Sequence, residues 1–458
     1  MPHQLCPFSD GSQTLKMDDG SFTINLTKLK NLSFLIFYFS MIFVGLMMPS
    51  DGNHGIFTPK SLSFLGSIFF FAILVFSSKK MSLYLLKTWI FTSFLMSFLL
   101  LWLFIGFAEN FSHPTAPFDQ FKIFLITISF VIMTLYAYDA GLVKAENLIK
   151  TMIFVNFGYS CLKLILIILH VLNFINMFAL METMGMRFMS MEMASGFSRF
   201  QTSVDIVTPF FILFVLQSDA LNLNFTKRFK YFYCLISSIS ILFSFSRFLM
   251  AVAACSALFY WLTLNKKALL KGMFIFCALF AAFILIIGVD NFITIIERRF
   301  FSNDNYYSDL TRTQQIEALM EQFYISPYFG MGLGGYVKDF LRDTSIVYSY
   351  EVQWIAFLMQ FGLFGMIFLL VPVLFICFQF LKPPITRVNL SFLGLFLVWL
   401  MSGFTNPFLI SLASGIIYSI FLLAARLLRS PPIIFDKRDH REKMRERKEK
   451  GNNLYLRL

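Results

Sequence analysis

The sequence predicts an all-α polytopic membrane protein, and three observations predict it. Of 458 residues, 57% are hydrophobic and only 14% are charged, against roughly 25% charged in a soluble domain; mean hydropathy is +0.71. Apolar runs of about twenty residues, each long enough to cross a hydrocarbon core about 30 Å thick as a helix, recur along the whole chain. Short alternating strands of a membrane barrel are absent, so the spans are expected to be helical.

Taken in order, twelve spans are expected, near 32–48, 61–78, 83–107, 121–139, 151–178, 204–219, 231–246, 248–264, 272–290, 351–381, 388–405 and 407–427. They divide the chain into a cytoplasmic segment 1–31, spans one to nine in 32–290, a large outer loop 291–350, spans ten to twelve in 351–427, and a basic tail 428–458. Orientation follows from positive charge. Lys28/Lys30, Lys79/Lys80, Lys144/Lys150, Lys227/Arg228/Lys230, Lys266/Lys267/Lys271, Lys382/Arg387 and the tail fall on one side, which is then the cytoplasm, with both termini inside. The polar first thirty residues do not resemble a cleavable signal peptide, so the first span is expected to be an uncleaved anchor.

The net charge is +12. After Ala425 the tail carries eleven Lys or Arg and five Asp or Glu, a pattern suited to anionic lipid. No aromatic platform accompanies the charges, which argues against nucleic acid. The six cysteines and five histidines have neither disulfide nor metal spacing, so no metal or cofactor is expected. The methionine-rich stretch 177–193 contains no Cys or His; it reads as an adaptable interfacial helix or loop rather than a copper site.

The run Tyr231–Leu264 holds one charge, Arg247, at its midpoint, and is flanked by "TKRFK" and "NKK". Two cytoplasmic flanks require the run to cross and return, which puts Arg247 at or just under the outer face. An ionisable residue at membrane depth is a functional candidate. The alternative, one long tilted helix, would invert every later loop.

Within the large outer loop, residues 311–323 read as a helix, with Thr311 as its cap, Arg312 in its first turn, and Ile316, Leu319, Met320 and Phe323 on one face. Pro327 and Gly330, Gly332, Gly334 and Gly335 then break it. Such glycines permit either a turn or close approach of backbone to a ligand. Glu351 is the last charge before the next span. It reads either as a helix N-terminal acid or as a site carboxylate at the depth of Arg247.

Four features, "FSFSRFLMAVA", "RTQQIEALMEQFYISPYFGMGLGGY", "YEVQWIAFLMQFGLFG" and the outer loop before the late spans, resemble in order and spacing the O-antigen polymerase (Wzy) and O-antigen ligase superfamily, over about residues 200 to 375. The resemblance implies a GT-C-like integral-membrane glycosyltransferase of the bacterial inner membrane. It further implies a donor glycan on undecaprenyl pyrophosphate, with membrane lipids, a chain-length regulator and a flippase as pathway partners. Ligases of this superfamily carry a His-Asn pair where this chain has "SYEVQ", so Glu351 stands in place of the histidine, which favours the polymerase.

Negative charge builds on the pyrophosphate leaving group, and fixed arginines match its oxygens without a metal. Arg247 and Arg312 are therefore the leading ligands, with Arg199, Arg298 and Arg299 behind them and Gly332 and Gly334 as backbone contacts. Glu351 is the candidate base for the acceptor hydroxyl. A ligase passing the glycan to lipid A core is the alternative. A transporter, for which Lys163 and Lys87 inside spans could speak, is less well supported, because the polar features collect on the outer side.

Overall fold

The computed structural model describes residues 14–15, 24–48, 58–77, 83–110, 112–183, 189–194, 197–264, 281, 284–285, 288–297, 303–342 and 346–429. It is mostly helical. After a two-residue pairing of β1 (Thr14–Leu15) with β2 (Ile24–Asn25) come α1 (Leu26–Met47), α2 (Pro59–Ser77), α3 (Leu83–Glu109), α4 (Ala116–Asp139), α5 (Ala145–Val171) and the short α6 (Met177–Thr183). A small antiparallel hairpin follows, β3 (Met189–Ala194) with β4 (Phe197–Gln201). Then come α7 (Thr208–Leu216), α8 (Lys227–Phe243), α9 (Arg247–Trp261), α10 (Val289–Ile296), α11 (Asn303–Ile325), α12 (Gln353–Leu381), α13 (Arg387–Met401) and α14 (Leu412–Leu427).

Among the described residues, six stretches are long and apolar enough to cross a membrane: 28–47, 59–76, 116–139, 145–171, 353–381 and 387–404. Four shorter apolar helices, 93–109, 204–216, 247–261 and 412–427, accompany them. This is a multi-pass arrangement. Most of the expected span 272–290 lies outside the described residues. Large apolar side chains such as Phe76 and Phe104, 82% and 69% exposed, line the outside of the helices, as hydrocarbon-facing positions do.

Lipid tails are as apolar as leucine, so helix association in a bilayer rests on close packing and internal polar contacts. Both are present. Phe210, Phe214, Phe392, Phe396, Trp399 and Phe421 form an interlocked aromatic centre between α7, α13 and α14. Tyr38 of α1 shares a buried hydrogen bond with Thr134 of α4 at 2.7 Å.

The run around Arg247 is two helices, as expected. Helix α8 ends at Phe243, Phe245 has a positive φ of 44°, and α9 begins at Arg247. A single long helix is thereby excluded. Basic residues collect at the opposite end of these helices. There Arg426 pairs with Asp139, Arg429 meets Gln379 and Lys230 pairs with Asp219 at 2.8 Å.

Three expectations need correction. Of residues 177–193, expected as one helix or a loop, the described ones are helix α6 (Met177–Thr183) and, from Met189, strand β3; residues 184–188 lie outside the described residues. The helix of the large loop starts eight residues before Thr311, which is no cap; its hydroxyl bonds back to Tyr307 O at 2.8 Å. The buried face of that helix is Gln315, Leu319 and Phe323, whereas Ile316 is 40% exposed.

Candidate functional site

Glu351 lies two residues before α12 and does not cap it; Val352 holds that position. Its carboxylate is instead shared by two guanidiniums. Arg312 donates Nε–H to Oε2 at 2.7 Å, and Arg342 approaches Oε1 through Nη2 at 2.8 Å. Charge-assisted contacts of this kind are about twice as strong as neutral ones. All three side chains keep partial solvent contact, at 20–30% exposure.

Local structure sets this geometry. Gln315, one turn after Arg312 and fully buried, accepts the Glu351 N–H at 2.9 Å, locking α11 against the start of α12. Tyr350 supports Arg342. Burial pushes its phenol up to about 12, so it stays neutral and serves as a hydrogen-bonding post. Its hydroxyl accepts from Val337 N at 2.8 Å and donates to Phe340 O at 3.4 Å, which ties down the stretch leading to Arg342. Arg312 also meets Asp309 at 2.6 Å. The group thus contains two cations and two anions.

A second basic group has a different balance. Strand β4 carries Arg199 to the C-terminal end of α8, where its Nε–H donates to Ser244 O at 3.1 Å and its Nη2 meets the Gln201 side chain. Arg247, three residues beyond Ser244, lies close enough to act on it. Burial first, and the like charge of Arg247 second, hold the Arg199 guanidinium below its usual value. Among the described residues neither arginine has a carboxylate partner. Two neighbouring cations without a carboxylate between them have the charge and the donors to attract an anion.

The two groups sit at the same end of the bundle and are linked through the segment joining α13 to α14. Phe248, next to Arg247, packs on Phe408 with ring centres 5.9 Å apart. Leu409 N donates to Gln353 Oε1 at 2.7 Å, two residues from Glu351.

Gly332 and Gly334 were expected as ligand contacts; they form a packed joint. Gly332 N donates to Gln360 O at 2.8 Å, and Gly334 N to Gln120 Oε1 at 2.5 Å. Both have positive φ, 76° and 74°, and a Cβ at either would lie 2.0 Å from Gly106 N or 2.3 Å from Pro117 N. Close approach of backbone is the reason for glycine here, but the approaching partners are α3 and α4. Their amides are already engaged, which leaves no cradle for phosphate. The joint continues across α12: Gln120 donates to Gln360 at 2.8 Å, and Gln360 to Gly335 O at 2.9 Å. At Gly362, φ 62°, α12 is broken, and Leu363 N and Phe364 N donate to the carbonyls of Pro327 and Tyr328.

Arg298 and Arg299 lie outside the described residues. Lys163, within α5, is neutralised rather than available to a substrate: it pairs with Asp205 at 2.8 Å, both essentially buried. Among the described residues no group of three or more His, Cys, Asp or Glu is gathered. Sequence reading missed Arg342 and Gln315. Nothing in "FLRDTS" distinguishes Arg342 from a solvated loop cation. Gln315 carried a signal, a polar residue one turn from Arg312.

Residues 232–370 match the family model Wzy_C, described as O-antigen ligase. The matched segment contains Arg247, Arg312, Arg342 and Glu351, and it bears out the resemblance to the O-antigen polymerase and ligase superfamily, over a somewhat shorter stretch than the sequence suggested. No curated protein and no solved structure matches the chain.

Proposed function

We propose that this protein is an O-antigen, or surface-polysaccharide, polymerase. It joins oligosaccharide repeat units carried on undecaprenyl pyrophosphate at the periplasmic face of the inner membrane. The observation that carries this reading is the Arg199–Arg247 pair, which has no carboxylate partner among the described residues. It suits a pyrophosphate better than the neutral Arg312–Glu351–Arg342–Asp309 group does. Arg247 and Arg199 hold the donor pyrophosphate and stabilise the charge that develops as its bond to the anomeric carbon breaks. Arg247 and Arg199, rather than Arg247 and Arg312, are therefore the donor-binding pair.

Arg312, Glu351 and Arg342 face the acceptor. The acceptor hydroxyl oxygen forms the new bond to the anomeric carbon and passes its proton to the Glu351 carboxylate. Because both Glu351 oxygens already accept from guanidiniums, its first role is to orient them, and proton removal requires a substrate hydroxyl to share one oxygen. No metal enters this scheme.

The family description favours a second reading, ligation of the same glycan to lipid A core. Purified protein given lipid-linked repeat units as sole substrate separates the two. A polymerase yields a ladder of longer lipid-linked products. Unchanged substrate that is consumed only when lipid A core is added would establish the ligase and overturn the proposal.

A further inference from the structure

We infer that the buried Lys163–Asp205 ion pair is a positioning device for the Arg199–Arg247 pair. The reading of those arginines as pyrophosphate ligands underlies this inference. Arg199 and Arg247 belong to different pieces of chain: one lies in the second strand of the β-hairpin, the other begins α9 directly after α8. Lys163 bonds to both pieces from a third. Its Nζ donates to Asp205 Oδ1 at 2.8 Å, in the turn that follows β4, and to Ser240 O at 3.0 Å, in the last turn of α8. The same ammonium lies 5.7 Å from the ring centre of Phe200, the residue after Arg199.

Asp205 completes the clamp. Its Oδ2 accepts from Thr202 N at 2.8 Å, which closes the turn between β4 and α7, and Tyr159 of α5 donates to its Oδ1 at 3.3 Å. Four residues beyond Ser240, Ser244 O accepts from Arg199 itself. Two like charges repel, so something must hold them side by side when no anion is bound. A fully buried, multiply bonded pair does this rigidly, and a specific geometry is a better-attested use of such a pair than stability.

The test is a double-mutant cycle on affinity for undecaprenyl pyrophosphate, measured with the full chain in detergent or nanodiscs alongside its melting temperature. Lys163→Met with Asp205→Asn removes both charges together, so that no lone ion is left buried. The expected result is a melting temperature near that of the parent and a Kd weaker by about tenfold, equivalent to about 1.4 kcal/mol. In an Arg199→Ala background the same pair of substitutions should cause little further loss, because contacts acting through one residue are non-additive. Should the double variant not fold, Lys163→Gln with Asp205→Asn, which also leaves no lone buried charge and retains an acceptor for Thr202 N and a donor for Ser240 O, enters the same cycle.

Losses that simply add to that of Arg199→Ala, or an unchanged Kd, would overturn the inference while leaving the arginine site intact. If Arg199→Ala with Arg247→Ala leaves the Kd unchanged, the arginine reading falls and the inference falls with it.

Discussion

Glu351 joins Arg312 to Arg342, each carboxylate oxygen accepting from one guanidinium at 2.7 and 2.8 Å. Glutamine in its place can accept from only one of them and turns an N–H toward the other. Glu351→Gln is therefore expected to reduce chain extension by about a hundredfold, the low end of what a lost general base costs. An orienting role adds a sharper expectation: Glu351→Gln and Arg342→Ala should be coupled by about 1–2 kcal/mol. Rates of ladder formation by the single and double variants measure this. Strict additivity would assign Glu351 to proton removal instead.

Arg247 and Arg199 are expected to be far more sensitive than their apolar neighbours. Arg247→Ala should lower the rate by about two to three decades, as loss of one preorganised donor to a developing anion does. Arg247→Lys keeps the charge but loses the fork and should recover only part. A normal polysaccharide ladder from normally expressed Arg247→Ala would make this arginine structural.

Gly332→Ala and Gly334→Ala are expected to damage folding rather than chemistry. Each would set a Cβ against backbone at 2.0 or 2.3 Å while retaining a positive φ, for a loss of about 3 kcal/mol or more. Gly141→Ala is the control. It has a positive φ of 67° but open space around it, and should cost about 1 kcal/mol. Melting temperatures of purified variants rank the three.

Topology can be checked directly. Arg426, Asp139 and Arg429 gather at one end of the bundle, and Arg312 and Glu351 lie at the other. A reporter active only in the periplasm should work when fused near Ser308 and be silent after Arg429. The reverse pattern would place the arginines away from the donor lipid.

Much of the fold was legible because membrane insertion is a local matter. Runs of apolar residues of sufficient length identify helices without reference to anything distant. The return of the chain at Arg247 was readable for the same reason, since both flanks of a 34-residue run carry the same sign of charge. The order of motifs across 232–370 was also legible.

Only the tertiary structure decided which charges meet. Arg342 finds Glu351 because Tyr350 anchors its loop, and Arg199 finds Arg247 because a β-hairpin returns to the end of α8. Gly332 and Gly334, which by sequence suit a phosphate cradle, are placed by the fold against α3 and α4. Such pairings depend on contacts between residues far apart in the chain. Hydropathy and spacing report each residue's preference for water or lipid, but they do not report which partner the packed helices will bring within 3 Å.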